Sequence, residues 1–373
     1  MTSIQRTMAL ASVRAPRRGI YEIQEVCEFE EELDGAALKA AWKQLAGCHA
    51  ALRTVIDVTD GRFNQYVEDE ADPAWQELDW TTLDPSEIPA KLEDFAARDA
   101  ERGFDFAAGV PMRFTLITVP RSRSILIWTA HHALLDGRSY PVVWCEWFAF
   151  YHALRRGEIL RLPPAPLFSD YVRRLENQDW SAAERYWCTR LAGVSQTSGY
   201  VTDRIRPAAD VEREGTRREH VRLSDEISSA LSETAQNAGL KVHAFVQGAW
   251  ALLLSRYSGC SDIVFGETRV GRARDRAIGL YLNTLPVRVH IEPDALLIDW
   301  LEQIRRDWDA LRDYEHSPLD RIREWSGFPP GMPLFEAALI YDRVPAVDIL
   351  HGMGPEWERR AFTVRQRTDS ALT

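Results

Sequence analysis

The sequence predicts a mixed α+β protein that is large enough for two cores. Its 373 residues can form two core-forming units. Short runs rich in β-branched and aromatic residues, such as Ile125–Thr129, have the length of buried strands. Stretches with apolar residues on one side, such as Ala36–Ala46, have the period of helices. A Pro-rich crossing segment, Arg161–Pro166, precedes a boundary between two halves that we place near Gln178.

Local signals define the elements of the first half. Asp34 is predicted to cap a helix, and Pro89 fits only the first turn of another. The turn Pro120–Arg123 joins two strands that we expect to be antiparallel neighbours. The predicted strands are Tyr21–Glu30, Gly61–Val67, Met112–Val119 and Ile125–Thr129, and the predicted helices are Ala36–Ala46, Ile88–Ala100 and the stretch after Ser139.

The second half begins with a polar stretch, Val194–Glu214, which we expect to be mobile. Val242–Tyr257 is apolar almost all round and is predicted to be a buried helix. Pro329–Tyr341 is predicted to be a turn followed by an apolar strand. The other predicted elements are helices at Ala182–Leu191, Asp225–Asn237 and Asp299–Leu311 and a strand at Asp262–Arg269.

Composition excludes several classes of protein. Hydrophobic residues make up 45% of the chain and charged residues 27%, as in an ordinary globular protein. No apolar run approaches membrane-spanning length, and the N-terminus lacks the apolar region of a secretory signal. The net charge of −11 argues against broad binding to nucleic acids or anionic membranes. Five scattered cysteines, none paired at metal-ligand spacing, indicate reduced thiols in a cytoplasmic protein.

The most informative stretch is His131–Gly137, where an apolar strand ends in two histidines and an Asp-Gly pair follows. Adjacent strand residues point in opposite directions, so only one histidine can face a given cavity. Histidine is suited to taking and returning a proton near neutral pH. Asp136 can accept a hydrogen bond or pair with an arginine, and Gly137 allows a turn that a side chain would obstruct. Two core histidines at a tight turn are the structural alternative, but the complete pattern favours a functional site.

The stretch His131–Gly137 resembles the HHxxxDG signature of the condensation domains of nonribosomal peptide synthetases, which related acyltransferases share. Ile278–Arg288 is similar to the family's I-G-x-F-V-N-T-L-P-x-R motif, with Tyr281 in place of Phe, and favours the synthetase branch. Weaker resemblances lie at Ser3, Gln5 and Met8 of the opening motif and at Cys48–Thr54, Phe168–Val172, Asp262–Arg272, Tyr314–Leu319 and Arg367–Thr373.

The resemblance implies two halves, each with a chloramphenicol acetyltransferase-like fold, in a V with an active-site tunnel at their interface. Residues 1–178 are the N-terminal half with the histidine motif, and residues 179–373 are the C-terminal half. A loop at Gly271-Arg272 is expected to form the floor of the tunnel. The family's final motif begins at Arg367, so we expect the closing strand and helix of the C-terminal half to be truncated.

The resemblance also implies roles for the motif residues. His132 is expected to act as a general base or to position the attacking amine, while His131 makes supporting hydrogen bonds. The N–H of Gly137 is a candidate donor to the oxyanion of the transition state. No cofactor-binding or metal-binding residue is predicted.

An arginine pairs with the motif aspartate in this family. Arg288 lies in the second motif and can bind a carboxylate through two nitrogens, so it is predicted to be the partner of Asp136. Arg53 and Arg113 are the fallback partners, although a surface charge at a strand edge explains Arg113 equally well. His49 is expected to be structural.

The implied activity is the joining of a carrier-bound acyl or peptidyl thioester to the amine of a carrier-bound aminoacyl acceptor. The donor and acceptor carrier proteins, with their 4'-phosphopantetheine arms, are the expected partners of a monomeric enzyme that holds no cofactor. Two alternatives remain: an acyltransferase that makes an ester or amide with a soluble alcohol or amine, and a catalytically silent docking module. The intact His132, Asp136 and Gly137 count against the silent module.

Overall fold

The structure is a computed structural model, and it describes most of the chain. The described residues are 1–16, 18–59, 61–70, 72–194, 219–271, 276–329, 333–342, 346–352, 354, 357 and 360–366. Three sequence predictions therefore lie wholly or mostly outside the described residues: the mobile stretch Val194–Glu214, the floor loop at Arg272 and the final motif at Arg367–Thr373.

Helices and strands follow one another along the chain, with short 3₁₀ turns between some of them. In order, the elements are α1 Ser3–Arg14, β1 Glu22–Phe29, α2 Gly35–Cys48, β2 Thr54–Thr59, β3 Arg62–Val67, β4 Ala74–Asp79, α3 Ile88–Ala100, β5 Met112–Val119, β6 Arg123–His131, α4 Ser139–Arg155, α5 Phe168–Glu176, α6 Ser181–Arg190, α7 Asp225–Asn237, α8 Val242–Ser258, β7 Asp262–Val270, β8 Leu282–His290, α9 Leu297–Ala310, α10 Leu319–Trp325, β9 Ala338–Leu339, α11 Ala346–His351 and β10 Phe362–Gln366.

The described residues divide into two compact units. The first unit comprises Met1–Gln178 together with residues from the ranges Arg272–Leu282 and Asp342–Asp369, and the second comprises the rest. The sequence-based division into 1–178 and 179–373 placed both of these later ranges in the second half. The structure assigns them to the first unit because β10 adds a strand beside β1 and because Gly279 is hydrogen-bonded to Asp136 of the histidine motif and to Ser139.

The first unit is built on a five-stranded sheet in the order β10-β1-β6-β5-β4. All neighbours are antiparallel except β4 and β5, and the predicted antiparallel pairing of β5 with β6 is confirmed. Strand β6 is central and almost wholly buried. Its alternate side chains enter two different cores, so Trp128 packs with Trp144 of α4 while Ile127 packs on the face that holds Phe95 of α3. A rigid, doubly covered strand therefore leads to the histidines.

The second unit contains the three-stranded sheet β8-β7-β9, in which β7 and β9 are parallel, and the helices α6 to α10. Helix α8 was predicted to be buried on all sides, and that prediction was wrong. Leu252, Leu253 and Tyr257 are 37%, 43% and 53% exposed, respectively. The reason is that an apolar composition all round a helix does not require neighbours all round it: the buried side of α8 carries Ala244, Gln247, Gly248, Ala251 and Leu254.

No helix among the described residues has the length and apolar character needed to cross a membrane. All five cysteines lie in the described part of the chain, and none of them forms a disulfide.

Candidate active site

The histidine motif begins where β6 leaves the sheet. The last residue of β6, His131, donates its backbone N–H to the carbonyl of Pro111 at 2.9 Å, and the N–H of His132 reaches the carbonyl of Tyr21 at 2.7 Å. Tyr21 has a φ of +59°, a left-handed conformation that is rare for a residue with a side chain. The N–H of Leu134 then bonds to the carbonyl of His131 at 3.0 Å, which closes the turn after the strand. Backbone hydrogen bonds therefore fix the path of the chain through both histidines.

His132 is buried, and its ring is held by one defined contact. Its Nδ1 lies 2.7 Å from the carbonyl oxygen of Leu135. A carbonyl only accepts hydrogen bonds, so Nδ1 carries the proton and Nε2 has the lone pair. Burial lowers the pKa of His132, with the Leu135 carbonyl and the Asp136 charge acting in the opposite direction. The ring is therefore neutral near pH 7 and offers Nε2 as a proton acceptor.

His131 points to different partners. Its Nδ1 accepts the backbone N–H of Ala133 at 3.1 Å, and its Nε2 lies 2.8 Å from Oγ of Ser12. The ring meets Phe106 edge to face, with 5.0 Å between the centroids. Burial, followed by the neighbouring His132, lowers the pKa of His131 to about 3. Both nitrogens of this neutral ring are engaged within the protein, in contacts of the supporting kind expected from the sequence.

Asp136 organises the rest of the motif. Its side chain is fully buried, and Oδ1 accepts the N–H groups of Arg138 and Ser139 and the hydroxyl of Ser139, each at 3.2 Å. Its Oδ2 accepts the N–H of Tyr281 at 3.0 Å. The Asp136 N–H donates to the carbonyl of Gly279 at 3.1 Å. The single proton of the Ser139 hydroxyl is shared between Oδ1 and that carbonyl, which lies 3.0 Å away. Asp136 thus joins the motif loop and the start of α4 to residues 279–281.

The backbone geometry requires a glycine at position 279 but not at position 137. Gly279 has a φ of +153°, and a Cβ there would lie 2.5 Å from a ring carbon of Phe168. Gly137 has no such constraint, because a Cβ would meet nothing within 4 Å and its φ is not positive. The expectation that a side chain at Gly137 would obstruct the turn was therefore wrong. The Gly137 residue is exposed, with space above its backbone.

The prediction that Arg288 pairs with Asp136 was wrong. Arg288 binds Asp262 through Nε at 2.9 Å and Nη2 at 2.7 Å, and its Nη1 donates to the carbonyls of Arg190 and Ala192. Arg288 lies on β8 and Asp262 starts β7, its neighbour in the sheet, so the nearest carboxylate is a local one. The second motif also uses Asn283 structurally, since that side chain donates to carbonyls of the turn before α10.

The fallback arginines are structural as well. Arg113 is 6% exposed, so it is not a surface charge: it donates to Asp99 at 2.7 Å and to Glu22 at 2.9 Å inside the first unit. Arg53 donates to backbone carbonyls, including that of Ala46 at 2.9 Å. His49 bonds to a carboxylate oxygen of Glu146 at 2.6 Å, which agrees with its expected structural role.

Sequence reasoning missed two hydroxyls. Ser139 bridges Asp136 and Gly279, and Ser12 holds His131. In the sequence, Gln5 belongs only to the weak opening motif, whereas in the structure its side-chain amide donates to the carbonyl of Ala133 at 2.8 Å. The opening resemblance at Ser3, Gln5 and Met8 was the one signal that α1 belongs to this site.

Known proteins are similar to this chain over most of its length. The family model for the condensation domain matches residues 1–355. The chain is 35% identical to a linear gramicidin synthase of Brevibacillus parabrevis over 92% of its length, and 32% identical to a chondramide synthase of Chondromyces crocatus over 87%. These stretches are 7% and 8% of the two relatives, so the chain spans less than a tenth of each of them.

Solved structures agree with the fold. The X-domain from teicoplanin biosynthesis superposes with a TM-score of 0.78 at 24% identity, covering 100% of this chain and 82% of that one. The first condensation domain of the calcium-dependent antibiotic synthetase gives a TM-score of 0.70 at 19% identity, covering 98% and 83%.

The family model and the relatives place the chain among the acyltransferases. More specifically, it belongs to the condensation-domain family, whose members form amide bonds in nonribosomal peptide synthesis.

Proposed function

We propose that this chain joins a donor acyl or peptidyl thioester to the α-amine of an aminoacyl thioester, with each substrate on the phosphopantetheine arm of a carrier protein. The observation that carries the proposal is the state of His132 in a member of this family: a buried neutral ring whose Nδ1–H is bound to Leu135 and whose Nε2 has its lone pair. The substrates, partners and role of His132 follow from that state together with the family.

The reaction forms a carbon–nitrogen and a sulfur–hydrogen bond and breaks a carbon–sulfur and a nitrogen–hydrogen bond. The acceptor nitrogen bonds to the donor carbonyl carbon, the carbon–sulfur bond of the donor thioester breaks, and the amine proton ends on the released thiol. Because Nε2 of His132 can take that proton and return it, the ring serves both halves of the step. Holding two thioesters together supplies effective concentration, so the histidine adds to a rate that positioning already raises.

Gly137 is the proposed donor to the developing oxyanion. Its residue is exposed, and no hydrogen bond from its N–H to another described residue occurs in the structure. The absence of a side chain leaves room for a substrate carbonyl to approach that N–H. This assignment explains a glycine that the fold itself does not need.

The test is an intact-mass assay with one carrier loaded with the donor and another with the acceptor. His132→Ala should slow transfer by about 10²–10⁴-fold, the usual contribution of a general base. His290→Ala is the matched control, because His290 is an exposed histidine of the second unit. Equal rates for wild type and His132→Ala would remove His132 from the reaction.

The acceptor tests the alternatives. Transfer to a free amine or alcohol, with none to any carrier-bound acceptor, would replace the proposal with a soluble-acceptor acyltransferase. No transfer to any acceptor by the wild-type chain would favour the silent docking module.

A further inference from the structure

Helix α1 contacts the histidine motif at His131 and at the backbone of Ala133. Gln5 and Ser12 are seven residues apart, so they lie on one face of the helix, and Met8 and Ala9 are buried between them. Gln5 donates to the carbonyl of Ala133, and the hydroxyl of Ser12 contacts Nε2 of His131. The helix starts from a complete capping box at Thr2, which fixes its first turn.

The hydrogen bonds around Ser12 allow only one assignment of protons. The Ser12 hydroxyl donates to the carbonyl of Ile20 at 2.8 Å, so toward His131 its oxygen can only accept. Nε2 of His131 therefore carries the proton. Nδ1 of His131 must have the lone pair, because it receives the N–H of Ala133 at 3.1 Å. The neighbouring His132 has the opposite tautomer, with its proton on Nδ1.

We propose that Ser12 is a positioning residue: its hydroxyl locks His131 as the Nε2–H tautomer, and this tautomer holds the turn that orients His132. If the proton moved to Nδ1 of His131, it would face the N–H of Ala133, and two donors would oppose each other at the start of the turn. The carbonyl of Leu135, in the same turn, is the group that fixes the ring of His132. The role for the reaction rests on the proposed function, whereas the tautomer does not.

The first experiment measures the tautomers directly in the substrate-free chain. Protein labelled with ¹⁵N-histidine gives separate NMR signatures for Nε2–H and Nδ1–H rings, and His131→Gln identifies the signal of His131. The wild-type chain is expected to show His131 as Nε2–H and His132 as Nδ1–H. A wild-type His131 with its proton on Nδ1 would overturn the inference, whatever the activity of the chain.

The second experiment uses three variants of α1. Ser12→Ala should remove the single Nε2–H signature of His131 and lower kcat for carrier-to-carrier transfer by about 10–100-fold, the effect expected from misplacing a catalytic group. The KM for the acceptor carrier should change little. Ser12→Thr keeps a hydroxyl and should restore both readouts. Thr7→Ala removes an exposed hydroxyl that bonds only within the same helix, to Ser3, and should change neither.

The outcomes separate the two proposals. A Ser12→Ala chain that keeps both the tautomer and the kcat overturns the role of Ser12, and so does a changed tautomer with an unchanged kcat. If Ser12→Ala does not fold, the wild-type tautomer and the Ser12→Thr variant still decide. A wild-type chain that shows the expected tautomers but transfers nothing contradicts the proposed function and leaves the Ser12–His131 lock in place.

Discussion

Replacing Asp136 by asparagine tests the geometry of the site most directly. The substitution keeps the size of the side chain but leaves one acceptor oxygen where the carboxylate has two. In the structure, one oxygen accepts from Arg138 and Ser139 and the other from Tyr281. In either orientation of the amide, its N–H groups face N–H groups of the backbone. Among the contacts of the described residues, the orientation that turns the nitrogen toward Tyr281 breaks the fewest hydrogen bonds.

The size of the effect follows from that orientation. The N–H of Tyr281 loses the acceptor that Oδ2 of Asp136 provides, and the new amide nitrogen of residue 136 faces it with a second donor. A buried donor without an acceptor costs about 1–3 kcal/mol, so two opposed donors raise the free energy of the folded state by about 2–6 kcal/mol. A free-energy change of about 1.4 kcal/mol corresponds to a factor of ten in an equilibrium constant. Local opening around Tyr281 therefore becomes at least roughly 30-fold more frequent.

Hydrogen exchange measured by mass spectrometry checks this prediction. A peptide that contains Tyr281 should exchange at least roughly 30-fold faster in Asp136→Asn, and acyl transfer should slow with it. Asp94→Asn on α3 is the control, because that side chain is 64% exposed and its ion pair with Arg98 contributes little. An unchanged exchange rate at Tyr281 in a folded Asp136→Asn chain would refute the reasoning. Equal acceleration in the β2–β3 hairpin would show a global loss of stability instead.

Three further predictions use the same structure. Gly137→Ala should leave the free energy of unfolding within about 0.5 kcal/mol of wild type and still slow acyl transfer. Gly279→Ala should lower the Tm, because of these two glycines only Gly279 lies where a Cβ would collide. A lower Tm in Gly137→Ala would contradict this prediction. Burial raises the pKa of Glu25 from 4.5 to about 8, so the contribution of Glu25 to stability is lost as pH rises through that window. In urea unfolding, Glu25→Gln should therefore stabilise the chain more at pH 8 than at pH 4.5. The same difference in unfolding free energy between variant and wild type at both pH values would contradict this prediction. Arg288→Ala and Asp262→Ala should show a coupling energy of about 1 kcal/mol in a double-mutant cycle, and additive effects would exclude the pair.

Elements with a local signature were predictable from the sequence. The helix Ile88–Ala100 has the predicted bounds because Pro89 marks its first turn and one face is apolar. Met112–Val119 also has the predicted bounds, since its strand pattern is uninterrupted. Helix α1 was not predicted, because its buried positions include the polar Gln5 and its apolar face is short. Strand β10 pairs with β1 from more than three hundred residues away, and no local pattern encodes such a partner.

The site was predictable in its chemistry and much less so in its contacts. The spacing of the two histidines indicated one ring for chemistry and one for support, and the structure gives their rings different partners. The partner of Arg288 was not predictable, because residue type gives the capacity of an arginine to bind a carboxylate but not which carboxylate the sheet places beside it. Ser12 was missed for a related reason: a serine in a helix has no distinguishing pattern until its neighbours are known.

The positions of the protons in the motif explain why His132, rather than Asp136 or His131, is available to accept a proton. Asp136 and His131 are both buried polar groups, and each is surrounded by donors and acceptors that match its lone pairs and protons. A group satisfied in this way resists taking part in a reaction, because any proton transfer would break its hydrogen bonds. His132 differs, since its Nδ1 is bound and its Nε2 has a lone pair for a substrate. In the proposed reaction, fixing the protons of the surrounding groups directs the amine proton of the acceptor to Nε2 of His132.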